Sequence, residues 1–171
     1  MRVMDIIKVA RGIEKPDLLL TNCKVVNVFS GEIEKTNVAI FKKRIAGLGD
    51  YSDAKEVINL EGKYLVPGLI DAHLHIESTM LEPREFAKAV IGRGTTTVIA
   101  DPHEIANVIG LKGVDFFIKY TEGVPLNIYF MIPSCVPATT FETNGAQVNV
   151  MDMIGFIEKH PRVLGLGEVM N

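Results

Sequence analysis

The chain has 171 residues, 47% hydrophobic and 23% charged, with 18 Lys+Arg against 21 Asp+Glu and a formal net charge of −3. That balance suits a globular chain able to bury a core, and with no basic stripe it argues against a nucleic-acid partner. No uninterrupted apolar segment approaches the length of a membrane span, which argues against a membrane partner.

Val3, Ile6, Ile7, Ala10 and Ile13 fall at helical spacing before Gly12 and Lys15-Pro16, so residues 3–13 are predicted as a short amphipathic cap helix. Met1-Arg2-Val3-Met4-Asp5 is no signal peptide, because Asp5 and Lys8 interrupt any apolar core. Residues 18–20, 24–29, 37–41, 44–48 and 56–60 are short, β-branched pieces. Turn signals at Thr21-Asn22, Ser30-Gly31, Lys42-Lys43 and Gly49-Asp50 separate them. They predict a small antiparallel sheet or half-sandwich of about four or five strands. No catalytic constellation appears there, so residues 1–64, the leading helix and this small β subdomain, receive a supporting role.

After Glu61-Gly62 the pattern changes to alternating strand and helix. Residues 65–70 form a strand leading into Asp71-Ala72-His73-Leu74-His75, and a helix over residues 83–93 follows, with Pro83 in its first turn and Gly94 as its stop. Residues 95–100 are a second strand ending in Asp101-Pro102-His103-Glu104, and residues 105–120 a helix weakened by Gly110 and Gly113. A third strand covers 126–132, a long loop 133–147, a third helix 151–159, and a fourth strand 162–167 stops at Glu168. Such alternation implies a parallel sheet whose working residues gather beyond the strand C-termini. Four βα-type strands make half of an eight-stranded barrel with long unpaired edges, so the chain is expected to be the N-terminal part of a larger enzyme.

The chemistry lies at those strand ends. On a strand, residues two apart share a face, so Asp71, His73 and His75 project together. Paired imidazoles with a carboxylate suit a divalent metal of the hard or borderline kind, and His73, His75 and Glu168 are the candidate ligands. Two solvent-facing histidines and an exposed strand-end glutamate are the plain alternative. Asp71 lies deeper and is assigned a supporting hydrogen bond to a ligating imidazole rather than a ligand role. Small Gly165 and Gly167 leave room beside Glu168. Asp101 and Glu104 can be explained as a helix cap and a first-turn carboxylate, which leaves His103 unexplained; Asp101, like Asp71, is also assigned a supporting place behind the ligands. A pocket role for His103 and Glu104 is the alternative, and Glu77 and Ser78 would sit in the same mouth. His160, before Pro161, is assigned to the surface at the opposite end. His75-Ile76-Glu77 matches half of the zinc nucleobase-deaminase signature, but Pro133-Ser134-Cys135-Val136 offers one thiol without a partner, so that family does not apply. The two cysteines, Cys23 and Cys135, lie far apart, which argues against a disulfide framework and fits a reducing cytoplasm.

Val66-Pro67-Gly68-Leu69-Ile70-Asp71-Ala72-His73-Leu74-His75 resembles the first-strand motif of the amidohydrolase superfamily. Within it, residues 75–80, 100–108 and 165–171 resemble the adenine deaminases of bacteria and archaea, and the leading helix and residues 27–32 agree. The resemblance implies an α/β fold: the first half of a metal-dependent (β/α)8 barrel over residues 65–171, preceded by the small β-sandwich-type subdomain. It implies hydrolysis of adenine to hypoxanthine and ammonia in purine salvage. His73 and His75 would bind one divalent metal and Glu168, the catalytic carboxylate, would bridge two, with manganese or iron in a binuclear centre of the complete enzyme. Such a centre lowers the pKa of water toward neutrality, and a carboxylate acid/base must protonate the ring nitrogen and the leaving amine. The family's remaining His ligands and late-strand Asp have no counterpart among these residues, so the chain alone is expected to be inactive and the complete protein homo-oligomeric. A cyclic-amide hydrolase of the same superfamily, or a non-catalytic metal-binding or interaction fragment, are the competing readings.

Overall fold

The computed structural model describes residues 3–170. Met1 and Arg2 of the leader reading, and Asn171, the last residue of the third resemblance motif, lie outside the described residues. The chain divides into two compact units, Met1–Pro67 and Gly68–Asn171.

In the first unit, helix α1 (Val3–Ala10) packs on a five-stranded sheet and ends before Gly12, earlier than the apolar spacing suggests. The strands are β1 (Leu18–Val26), β2 (Ile33–Phe41), β3 (Arg44–Gly49), β4 (Glu56–Asn59) and β5 (Tyr64–Leu65). The path is β3-β2-β1-β4, with β5 also on β1. β4 and β5 run parallel to β1, so the sheet is mixed rather than antiparallel. Thr21-Asn22 proves to be a bulge inside one long strand instead of a turn. The register jumps from Leu20↔Val38 to Cys23↔Thr36, which sets Thr21 and Asn22 against Asn37 alone. Asn22 takes φ 52° there and its N–H donates to Asn37 Oδ1 at 3.2 Å, a conformation asparagine tolerates well. Lys42 and Lys43, both at positive φ, form the two-residue β2–β3 hairpin that the Lys-Lys signal marked.

Asp17 ties this hairpin down: Oδ2 accepts the Lys42 N–H at 2.9 Å and Oδ1 pairs with Lys55 at 2.6 Å. The Lys55 hydrogen bond first, then that of Lys42, holds its carboxyl below the usual aspartate value of 3.8. A depressed folded pKa contributes stability above the unfolded pKa and loses it as pH falls through the folded one. D17N is therefore expected to lower the denaturation midpoint at neutral pH, with the parent and variant curves converging as Asp17 protonates in acid.

The second unit is a four-stranded parallel sheet, β6 (Leu69–Leu74), β7 (Thr95–Ala100), β8 (Asn127–Ile132) and β9 (Val163–Leu166), in simple sequential order. The predicted first strand is misplaced at its start. Tyr64–Leu65 belongs to the other sheet, and β6 starts only after Pro67, which has no N–H to give a ladder. His73 consequently lies inside β6 rather than beyond it. Helix α2 (Pro83–Ile91) carries Pro83 at its first position, and its cap is Glu82, which accepts the N–H groups of Glu85 (2.7 Å) and Arg84 (3.1 Å). The long helix predicted over 105–120 is two: α3 (His103–Ile109) and α4 (Leu111–Tyr120), broken where Gly110 adopts φ 67°. Gly113 lets them meet, since a Cβ there would run into Ile105. Helix α5 (Val150–Lys159) begins at Asn149, whose side chain accepts the Asp152 N–H at 3.0 Å.

The core of this unit lies between sheet and helices. Val98, Ala100, Ile128, Phe130 and Ile132 face Phe86 and Ala87 of α2, Val114, Phe117 and Ile118 of α4, and Met153 of α5. That packing fixes β7 and β8 as rigid central strands, and their C-terminal ends carry the loops described next.

Candidate metal centre

At the C-terminal end of the second sheet, His73 of β6 and His75 just after it converge on Glu168, which follows β9 at the other edge. His73 Nε2 lies 3.0 Å from Glu168 Oε1 and His75 Nε2 lies 3.5 Å from the same oxygen. The imidazoles meet edge to face with centroids 5.1 Å apart. One ligand atom from each of the three residues falls within 4.8 Å of the others, a spacing suited to one cation. The donor set of two nitrogens and a carboxylate oxygen is the borderline-hard set that divalent transition metals take. His75 Nδ1 is buried without a hydrogen bond, and Glu104 Oε2 is the nearest carboxylate at 3.5 Å. The residues present therefore fit a divalent metal.

Electrostatics point the same way. The His73 hydrogen bond above all holds Glu168 below the ordinary carboxylate value, against a smaller effect of desolvation. At His75 burial alone would lower the pKa, but Glu104, Asp101 and Glu168 together outweigh it and raise it. Carboxylates that attract a proton to this ring also attract a cation. Glu168 keeps 44% of its side chain exposed.

The neighbouring residues divide by role. Glu77 and Ser78 sit on a short 3-10 helix, Glu77–Thr79, directly after β6. Ser78 Oγ donates to Glu104 Oε1 at 2.6 Å, and Glu77 Oε1 accepts the Ile105 N–H at 3.2 Å. Glu77 thus serves the first turn of α3, the task expected of Asp101, although Glu77 Oε2 remains buried without a hydrogen bond. Burial, above all, holds its carboxyl above the usual glutamate value. His103 is buried, with Nε2 3.3 Å from the Cys135 carbonyl, Nδ1 3.7 Å from Asp101 Oδ1, and its ring 6.3 Å from that of His75.

Two assignments need correction. Asp71 is exposed, and its Oδ1 accepts the main-chain N–H of His73 at 3.3 Å instead of reaching an imidazole. Asp101 is no helix cap: the residue at that position is Pro102, and the Asp101 Oδ2 accepts the Glu168 N–H at 2.8 Å. The space beside Gly167 is taken by that same carboxylate. His160 is also less exposed than expected, because its ring lies tilted against that of Phe156, with centroids 4.2 Å apart, and 3.7 Å from Asp115. Sequence reasoning missed Ser134, whose Oγ donates to the Glu168 carbonyl at 2.9 Å. Its position just after a strand C-terminus is the signal that could have found it.

Sheet and site together define a class, a βα-barrel segment with a His–carboxylate cluster spaced for one cation. The sequence matches the amidohydrolase family over residues 64–163, and the chain belongs to that family. It is 72% identical over its whole length to the adenine deaminase of Kosmotoga olearia and 58% identical to that of Thermosipho africanus. It spans about 30% of the length of each of these relatives. Among solved structures, an N-acyl-D-glutamate deacylase from Bordetella bronchiseptica, complexed with zinc and a phosphonate inhibitor, superposes with TM-score 0.64 at 15% identity, over 92% of this chain and 39% of that one. A D-aminoacylase described as defining a novel subset of amidohydrolases gives TM-score 0.56 at 21% identity, over 84% of this chain and 35% of that one. At such identities these likenesses speak for the fold.

Proposed function

We propose that this chain supplies the first ligands of a divalent metal centre that hydrolyses adenine to hypoxanthine and ammonia in the complete protein. The convergence of His73, His75 and Glu168 on one point carries the reading, and the similarity to adenine deaminases chooses the substrate. His73, His75 and Glu168 would hold the metal of this centre. Manganese or iron, a cytoplasmic location and a homo-oligomeric complete protein belong to the same proposal. A bound divalent metal supplies a water of lowered pKa and charge stabilisation at the reacting carbon.

The residues around it do the rest. In the net reaction a water oxygen bonds to C6 of adenine, the bond from C6 to the exocyclic nitrogen breaks, and that nitrogen leaves as ammonia after gaining a proton. Glu168 is the carboxylate placed to move protons between the incoming water and the purine. His103, Glu104, Glu77 and Ser78 line the approach, where the hydrogen-bonded Ser78–Glu104 pair and the buried Glu77 carboxyl can face a heterocycle edge. Asp71 and Asp101 act on the main chain, accepting the N–H groups of His73 and Glu168.

Ammonia release tests the proposal. The complete protein reconstituted with manganese should release ammonia from adenine and not open cyclic imides. Turnover of imides instead would overturn the substrate assignment. The 171-residue chain by itself, spanning about 30% of its relatives, is expected to show no steady adenine turnover.

A further inference from the structure

We infer that Asp101 is a positioning residue for Glu168, acting on its main chain rather than on its carboxylate, and that Gly167 is the partner that makes this possible. The inference rests on the reading of Glu168 as a metal ligand and says what aims it. Asp101 stands at the end of β7 and is 0% exposed. Its Oδ2 accepts the Glu168 N–H at 2.8 Å, a charge-assisted bond of the short, directional kind. A Cβ built on Gly167 would fall onto the Asp101 carboxylate, closer than any real contact allows. The carboxylate therefore occupies the volume a side chain at residue 167 would need, and only glycine lets β9 pass.

Other tethers come from the neighbouring strand. The Gly167 N–H donates to the Ile132 carbonyl at 2.7 Å, and the Glu168 carbonyl accepts from Ser134 Oγ at 2.9 Å. Gly167–Glu168 is thus held by its own strand neighbour β8, by the loop after β8, and by a carboxylate from β7, two strands away. Asp101 reaches across from the end of β7 toward the edge that carries Glu168. Without it the peptide preceding the Glu168 side chain loses the hydrogen bond that sets its direction, and Glu168 no longer faces His73 and His75 as a fixed third ligand.

The experiment uses the complete protein, stripped of metal with a chelator and titrated with Mn²⁺ alone by calorimetry, with folding checked by circular dichroism. D101A should weaken manganese binding by about 10- to 100-fold, as expected for residues that orient ligands. D101N keeps an oxygen able to accept the Glu168 N–H and should recover most of that loss. G167A should weaken binding too, whereas D101A/G167A should bind no worse than D101A, because the clash and the tether disappear together. A role in folding alone predicts a lower melting temperature with unchanged manganese affinity of the folded protein, and that result overturns the inference. If D101A does not fold, G167A carries the test, and parental affinity in G167A has the same consequence. H73A separates the two layers: manganese affinity undiminished by H73A removes the ligand reading itself, while loss in H73A without loss in D101A removes only the positioning role.

Discussion

The E168A variant of the complete protein should deaminate adenine about 10³-fold more slowly than the parent, or worse, and should retain less manganese after dialysis. Removing a shared carboxylate ligand forfeits several kcal/mol of charge stabilisation, and each 1.36 kcal/mol is about tenfold in rate. E168Q keeps the size of the side chain and loses its charge, so it should lie close to E168A if charge is what matters. H73A should fall with them, because His73 Nε2 lies 3.0 Å from the same Glu168 oxygen. His160 provides the contrast. It packs against Phe156 beside Asp115, away from the candidate ligands, so H160A should keep both metal and turnover. Rates measured beside metal content by mass spectrometry decide the matter. An E168A protein with parental turnover cannot be reconciled with the proposed centre.

F130A should destabilise the complete protein by about 3–5 kcal/mol, the usual cost of emptying a buried phenylalanine site. Phe130 is 0% exposed at the middle of the second sheet, paired in register with Ala100 on β7 and Val163 on β9. The Arg162 guanidinium lies 5.5 Å from its ring centre, a cation–π contact that the truncation also removes. The strands it joins carry Asp101 and lead to Glu168, so the cavity would loosen the frame of the site as well. Urea denaturation with an unchanged slope is the measurement, and a loss below about 1 kcal/mol would show that the neighbours refill the space.

Much of the frame was legible because its signals are local. Thr95–Ala100 is a β-branched run that forms β7 with the predicted bounds, and Pro83 marks the first turn of α2 as expected. Alternating strand and helix implied a parallel sheet, and strand-end polar residues marked the end where the site lies. What failed were boundaries set by competing partners. Leu65 reads as one strand with Leu69–Ile70, yet together with Tyr64 it pairs with β1 in a different sheet. Thr21-Asn22 reads as a turn, but asparagine can take a left-handed conformation within a continuing strand, and only the register of β2 reveals a bulge.

At the metal centre the division is sharper. By itself the sequence determined the candidate ligand types and their spacing: His73 and His75 share a strand face because the side-chain period is two, and Glu168 follows the last strand. It could not determine what the second rank of residues does, because those contacts join positions far apart in the chain. Asp101 looked like a cap for the helix beside it and instead holds the main chain of Glu168, 67 residues later. Glu77 does the capping from 28 residues before, and Gly167, read as open space, is filled by a carboxylate. A helix cap and a cross-sheet hydrogen bond call for the same acceptor, and only the parallel order β6-β7-β8-β9 decides which donor it meets.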